Sequence, residues 1–520
     1  MGLAGIDYAV LAIYAVALVS IAWAVSREKK GHKKDTSDYF LAGKALPWWA
    51  IGTSLIAANI SAEQVIGMSG SGFAIGLAIA SYEWMAALTL LIVAKYFLPI
   101  FLEKRIYTMP QFLEQRYNHS VRMVMAVFWL GVYTFVNLTS ILWLGSLTIN
   151  TLTGLELTYG LIALAGFAAL YSLYGGLKAV ALTDIIQVVL LVLGGLLICY
   201  LALDRVSGGQ GALGGFVQLM DRAPEKFDMI LSRDDPNWKF LPGLSVLVGG
   251  MWIMNLSYWG FNQYIIQRAL AAKNIREAQT GLAFAAFLKL LVPVLVVFPG
   301  IAAFVLEPDL ARPDQAYPTM MSYAPAGIRG LIFAALIAAI VSSLGSMVNS
   351  IATIFTMDLY KPMHPSASEN RLVWIGRGVA FSALVIAVIA AQPLLGSAEQ
   401  AFQFIQEFTG FFTPGIVVLF FLGMFWKRTT SAGALTAAIG SAVFSLLFKL
   451  SMPEMPFMNR VGYVFLLCAA VAVVVSYIQG GKPHPKAVHH ENISFATSAR
   501  FNTASAIVAM ILVGLYWYWW

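Results

Sequence analysis

Stretches of about twenty mostly apolar residues recur along the whole chain, and each is long enough to cross a bilayer as a helix. They fall near 5–25, 46–75, 78–103, 119–147, 152–174, 179–203, 243–266, 278–306, 328–356, 373–391, 398–425, 430–449, 461–479 and 501–519. About fourteen such segments leave little room for a water-soluble fold. Composition agrees: 59% of the 520 residues are hydrophobic and 11% charged, against about 25% charged in an ordinary soluble domain. A soluble enzyme and a disordered chain are both excluded. The expectation is an all-α polytopic membrane protein, a single transmembrane domain over 1–520. The first segment has no basic residue ahead of it and no small-x-small cleavage pattern, so it reads as a retained helix rather than a signal peptide. Cys199 and Cys468 lie in apolar runs, which leaves neither a disulfide framework nor a zinc site.

The net charge of +7 forms no basic stripe with interleaved aromatics, so a nucleic-acid partner is not expected. The positive residues should gather in cytoplasmic loops instead. With the N-terminus outside, about 22 of the 33 Lys and Arg residues fall in or beside inner loops, led by Arg27, Lys29, Lys30, Lys33 and Lys34, and about nine fall outside. An even number of spans then places the C-terminus, Trp517-Tyr518-Trp519-Trp520, outside as well. Lys95 can snorkel from the end of its span. Lys289 cannot, and a mid-membrane lysine marks a partner or a pathway. The acids deep in spans are Glu63, Glu83, Asp184 and Glu407.

The second segment carries Asn59, Ser61, Glu63 and Gln64 at its middle and a run of glycines after them. The seventh has a similar interruption, Met254-Asn-Leu-Ser-Tyr-Trp-Gly-Phe-Asn-Gln263. An interrupted helix exposes carbonyls and amides that hydrocarbon cannot satisfy, so it belongs where it lines a cavity. Two broken segments at matching places of two five-span halves point to an inverted-repeat secondary transporter. The ninth segment contains Val341-Ser-Ser-Leu344. Paired serines usually bond the carbonyl one turn back or join helices. Beside a broken helix they can also supply oxygens to a sodium ion.

Longer runs carry a resemblance. Asp38-Tyr-Phe-Leu-Ala-Gly-Lys44, Ala58-Asn-Ile-Ser-Ala-Glu-Gln64, Ala80-Ser-Tyr-Glu-Trp84, Tyr174-Gly-Gly-Leu177, Tyr258-Trp-Gly-Phe-Asn-Gln-Tyr264 and the Lys427…Ala434 stretch are similar to the sodium/solute symporter family, most of all its sugar-transporting branch. The resemblance spans nearly the whole chain. It implies a leucine-transporter-type fold with about 14 transmembrane helices and a 5+5 inverted-repeat core. The first helix and inner loop would occupy 1–45, the first repeat and an outer segment 46–242, the second repeat 243–428, and three C-terminal helices 429–520. It also implies a bacterial cell membrane, with both termini periplasmic.

The resemblance further implies a sodium site of the Ala57, Ile60 and Ala339 carbonyls with the Ser342 and Ser343 hydroxyls. Asp184 would lie on the ion's exit route, a structural salt bridge being its other reading. A monosaccharide, galactose or glucose, would meet Asn59, Gln64, Glu83, Asn255, Tyr258, Lys289 and Gln406. A hexose presents a ring of donor-acceptor hydroxyls, which amides, a carboxylate and an ammonium can pair. Glu83 and Lys289 also offset one another's burial, and a pure helix lock is the alternative. Tyr258 and Trp259 fit an inner gate, and Met68, Tyr82 and Phe402 an outer one.

Two positions depart from the sugar-transporting relatives. Ala86 replaces a serine that helps hold sugar. Gly345 replaces a hydroxyl used by relatives that bind a second sodium, which leaves one Na+ per sugar. No arginine is expected mid-span, which argues against an acidic substrate. Myo-inositol, sialic acid and an amino acid are the alternatives. No catalytic constellation accompanies the buried acids, so an enzyme is not expected. The segment near 204–242 carries no interpretable motif.

Overall fold

The computed structural model describes the backbone of residues 3–26, 46–106, 108–397 and 400–520; side chains at 18, 19, 21–26 and 171–185 lie outside the described residues. The stretch around Asp38 and the side chain of Asp184 are therefore not placed.

The described residues are overwhelmingly helical and contain no strand. Among them, nine helices are long and apolar enough to cross a membrane, and ten if the bent pair Ala401–Gly410 and Thr413–Phe425 counts as one span. The remaining four predicted segments begin at 5, 46, 152 and 243, where the described apolar helices are shorter or interrupted. The count of fourteen thus rests on reading those four as spans.

Helices used below are α1 (Gly5–Ser26), α2 (Trp48–Asn59), α3 (Met68–Ala74), α4 (Ser81–Ile92), α5 (Leu157–Val206), α6 (Gly250–Leu256), α7 (Gln263–Leu270), α8 (Ile275–Leu306), α9 (Ile328–Ile354), α10 (Ala401–Gly410) and α11 (Ala499–Tyr518). The two segments predicted at 152–174 and 179–203 run as one helical stretch, α5. Fifty residues of straight helix would extend about 75 Å. Contacts show that α5 doubles back. Leu164 and Ile340 both crowd Gly145, while Gly194 abuts Ile332. Leu164 and Gly194 would stand about 45 Å apart on a straight helix, yet they meet points on α9 only about 12 Å apart. The stretch is therefore bent, which is compatible with the two expected passes.

Both predicted interruptions are present. In the first, α2 stops at Asn59 and Ile60 has ψ 83°. A wide π turn, Glu63–Gly67, then leads into α3. In the second, α6 runs into a π turn over Ser257–Phe261, and Asn262 is extended (φ −84°, ψ 123°) before α7. Tyr133 fills this second break: its hydroxyl donates to Asn262 Oδ1 at 2.5 Å and accepts from the Gln263 amide at 3.0 Å. The freed backbone is satisfied by protein rather than exposed to lipid.

Helix α8 packs along α2, α3 and α4 and so gathers the elements that carry the polar residues. The approach to α2 depends on small residues. A Cβ on Gly52 would come within 2.7 Å of the Gly281 carbonyl, so no larger side chain fits without separating the helices.

Candidate functional site: a polar cavity between two broken helices

Where α2 breaks, the Ile60 amide still bonds the Ile56 carbonyl at 2.7 Å, and the hydrogen-bond ladder lapses at Ser61. The Ser61 amide, which would close on the Ala57 carbonyl in a continuous helix, donates instead to Asn59 O at 2.8 Å. Ala57 and Ile60 are both buried. Across from them lie Ala339, Ser342 and Ser343 of α9, also buried. Ser343 Oγ donates to the Ala58 carbonyl at 3.3 Å, one residue along from the expected Ala57. Ser343 thus contacts the α2 break, and all five expected sodium ligands are buried. Backbone carbonyls and serine hydroxyls are uncharged oxygens, the kind of donor that suits a hard cation.

The same break points Asn59 the other way. Lys289, wholly buried on α8, donates to both Asn59 Oδ1 and the Glu83 carboxylate. Its ammonium also lies 4.6 Å from the centroid of the Trp259 ring, a cation–π contact. Asn59 Nδ2 donates to the Tyr258 hydroxyl at 3.0 Å, and Tyr258 shares a 2.5 Å hydrogen bond with Tyr264. One connected network thus joins α2, α4, the π turn after α6, α7 and α8.

A small cavity opens against this network, lined by Asn59, Gln64, Glu83, Asn255, Tyr258 and Gln406. Six of the seven expected substrate residues therefore share one cavity, and Lys289 supports two of them. Two aromatic pairs border it. Tyr82 and Phe402 meet edge to face at 5.1 Å, and Tyr258 and Trp259 at 5.0 Å. Met68, expected beside the outer pair, is fully buried and does not line the cavity; its neighbour Gly67 abuts Phe402. Ala86 is buried, one turn beyond Glu83, and is also absent from the lining. Met254 lines the cavity and was not anticipated; its spacing of one helical turn before Tyr258 was the available signal.

A second small cavity shares Gln64, Tyr258 and Gln406 with the first. Its lining includes Glu63, Asn137 and Asn262, and the Ser140 hydroxyl donates to the Glu63 carboxylate. Tyr258 therefore borders both.

Two expectations need correction. Glu407 is not a deep, isolated acid. Its side chain is about a third exposed and is held by Lys449 and Arg460, both at 2.9 Å. An arginine does lie in the core: Arg268 on α7 is fully buried and donates to Ser54 Oγ at 2.9 Å, Ser346 Oγ at 2.7 Å and the Tyr264 carbonyl. It sits past the edge of the predicted seventh span, where a hydropathy reading stops. No arginine lines the polar cavity among the described residues. The buried acids Asp7, Asp314 and Asp358 were also missed. Arg122 bonds Asp358 at 2.8 Å, and Arg329 bonds Asp7 at 2.9 Å.

Comparison with known proteins gives the family. The model of the sodium:solute symporter family matches residues 39–440. The chain is 51% identical over 538 aligned residues to the sodium/glucose cotransporter of Vibrio parahaemolyticus, covering 100% of this chain and 99% of that one. It is 35% identical to the sodium/myo-inositol cotransporter 2 of Mus musculus, covering 83% of this chain and 68% of the relative. The solved substrate-bound outward-open state of a Na+-coupled sialic acid symporter superposes with a TM-score of 0.79, covering 91% of this chain and 98% of that one. At 23% identity the last likeness is one of fold. The chain belongs to the sodium:solute symporter family, whose members carry sodium and a solute across a membrane rather than perform catalysis.

Proposed function

We propose that this protein imports a neutral hexose, galactose or glucose, with one sodium ion per sugar, by alternating access. The observation that carries this reading is the shared break in α2. Its Ala58 carbonyl accepts from Ser343 on one side, and its Asn59 joins the Glu83–Lys289 pair at the cavity on the other.

In this reading sodium bridges α2 and α9 and holds the break in the conformation that presents Asn59 and Gln64 to the cavity. Sugar then pairs its hydroxyls with Asn59, Gln64, Glu83, Asn255 and Gln406, and a pyranose face stacks on Tyr258. Met68, Tyr82 and Phe402 close the periplasmic side and Tyr258 with Trp259 the cytoplasmic side, with both termini periplasmic in a bacterial cell membrane. Each ligand shifts the equilibrium only by its differential affinity for the two states. One sodium moving through about 100 mV supplies about 2.3 kcal/mol, and a roughly tenfold gradient about 1.4 more. Together they support a few-hundredfold accumulation of sugar.

One sodium is favoured by Gly345 and by Arg268. The guanidinium bonded to Ser346 Oγ puts a positive charge where a second cation would need that hydroxyl. A neutral substrate is favoured by a cavity lining that carries no arginine among the described residues. Myo-inositol is the second reading, since it offers the same ring of hydroxyls and a relative at 35% identity is named for it.

The test is competition against labelled galactose uptake in proteoliposomes with an inward sodium gradient, using glucose, fucose, myo-inositol and sialic acid. Galactose and glucose should compete best. Stronger competition by myo-inositol or sialic acid would reassign the substrate. Ala86→Ser, run in the same panel, tests the lost hydroxyl contact; unchanged preference and affinity would leave that position outside the sugar's surroundings.

A further inference from the structure

Two features without a role in the transport reading meet in space: the segment near 204–242 and the aromatic C-terminal end of α11. The amides of Met229 and Ile230 donate to the Trp519 and Trp520 carbonyls at 2.8 and 3.4 Å. Trp519 also packs against Phe227 and Phe216 of that segment. From this junction, contacts run to both ends of the turn between α3 and α4.

At the α3 end, Ala74 is the last helical residue, and its carbonyl has no partner within the helix. Lys226 Nζ donates to it at 2.8 Å and Asn237 Nδ2 at 3.4 Å. Lys226 is itself buried, with its ammonium 4.2 Å from the Phe304 ring centroid. The backbone approach is close enough to require glycine. Gly76 has φ +100°, and a Cβ there would fall 2.4 Å from the Lys226 carbonyl.

At the α4 end, the Tyr516 hydroxyl donates to Ser81 Oγ at 2.9 Å. Trp519 stacks on Trp84, with centroids 6.4 Å apart and planes 15° from parallel. The indole N–H of Trp84 in turn donates to the Leu290 carbonyl at 3.4 Å. Ser81 and Trp84 flank Tyr82 and Glu83, and Leu290 follows Lys289. The contacts therefore hold residues adjoining both members of the buried ion pair, and none of Ser81, Trp84, Tyr516 and Trp519 lines the cavity.

We propose that residues 226–237 and Tyr516–Trp520 form a clasp that sets the position of Ser81–Trp84, making Tyr516 and Trp519 positioning residues for sugar affinity. Neither touches the cavity. They act through Trp84 and Ser81, and the clasp ties the spacing of α3 and α4 to an element outside the ten-helix core. The proposal rests on the reading of Tyr82 and Glu83 as sugar-facing residues.

The experiment measures labelled galactose binding at saturating sodium, and sodium binding without sugar, on purified full-length protein. The variants are Tyr516→Phe, Trp519→Leu, Trp519→Phe and Glu83→Gln. Losing one hydrogen bond or one aromatic stack should raise the galactose half-saturation by about two- to tenfold in Tyr516→Phe and Trp519→Leu. Sodium half-saturation should stay at the wild-type value, and Trp519→Phe should recover most of the loss. Unchanged galactose affinity in both Tyr516→Phe and Trp519→Leu, with Glu83→Gln impaired, would overturn the clasp and leave the sugar site standing. Parallel loss of sugar and sodium binding in those two variants would also overturn it, because that is the signature of general destabilisation. Unchanged galactose affinity in Glu83→Gln would overturn the site reading and the clasp with it.

Discussion

Glu83 and Lys289 lie 206 residues apart in sequence, yet their charged groups are in direct contact with 4% and 0% of their side chains exposed. Removing one partner of such a pair strands a buried charge, at a cost of about 3–5 kcal/mol. Lys289→Met should therefore lower the thermal stability of the purified protein sharply. The double variant Glu83→Gln with Lys289→Met should recover most of that stability and still fail to bind sugar. Recovery of both stability and sugar binding would make the pair a helix lock alone.

Tyr258 borders both polar cavities and is held by Asn59 at 3.0 Å and Tyr264 at 2.5 Å. Tyr258→Phe keeps the ring and loses both hydrogen bonds, each worth about 0.5–1.5 kcal/mol. Sugar counterflow should quicken while sugar affinity falls by less than about tenfold. Tyr258→Ala, which also removes the stacking face, should bind sugar far more weakly. Equal affinity in the Phe and Ala variants would remove the ring from the sugar's surroundings.

With one sodium per sugar, uptake should rise hyperbolically with sodium, since a Hill coefficient cannot exceed the number of coupled sites. Initial rates across a sodium series at saturating sugar give that coefficient. A sigmoidal curve would require a second ion despite the Arg268–Ser346 contact at 2.7 Å.

Asp314, in the connection between α8 and α9, accepts the amide of Ala401 at 3.1 Å at the start of α10, the helix that carries Phe402 and Gln406. Burial pushes its carboxyl up to about 7, partly opposed by the Ala401 amide and by Arg312. The unfolded chain releases this proton near the ordinary value of 3.8, so between about pH 4 and pH 7 the folded state holds the extra proton. This group's contribution to stability therefore falls as pH rises through that window and levels off above it. Asp314→Asn should flatten the slope and be the more stable form at pH 8. Thermal unfolding of both proteins from pH 4 to pH 8 checks this, and parallel profiles would contradict it.

Much of the architecture was legible because membrane burial writes itself locally. Apolar runs mark spans, and polar or glycine residues inside them mark breaks at Asn59 and Asn262. Lys289 and Glu83 stood out because each is costly at its own depth. What stayed hidden depends on neighbours distant in sequence. Glu407 reads as a deep acid on its own span, and only packing brings Lys449 and Arg460 to it. Arg268 lies beyond an apolar run yet is buried by α2 and α9. The Ala74–Lys226 contact joins residues 152 positions apart and had no signal in either stretch.

The central claim is that sodium at the α2–α9 junction drives sugar through the cavity beside it. Its most direct test is labelled galactose uptake into proteoliposomes under an inward sodium gradient or an equal potassium gradient, for wild type and Ser343→Ala. The account predicts accumulation above equilibrium only for wild type in sodium, with Ser343→Ala losing most of it. Accumulation that ignores sodium, or that survives the serine change unaltered, would contradict it.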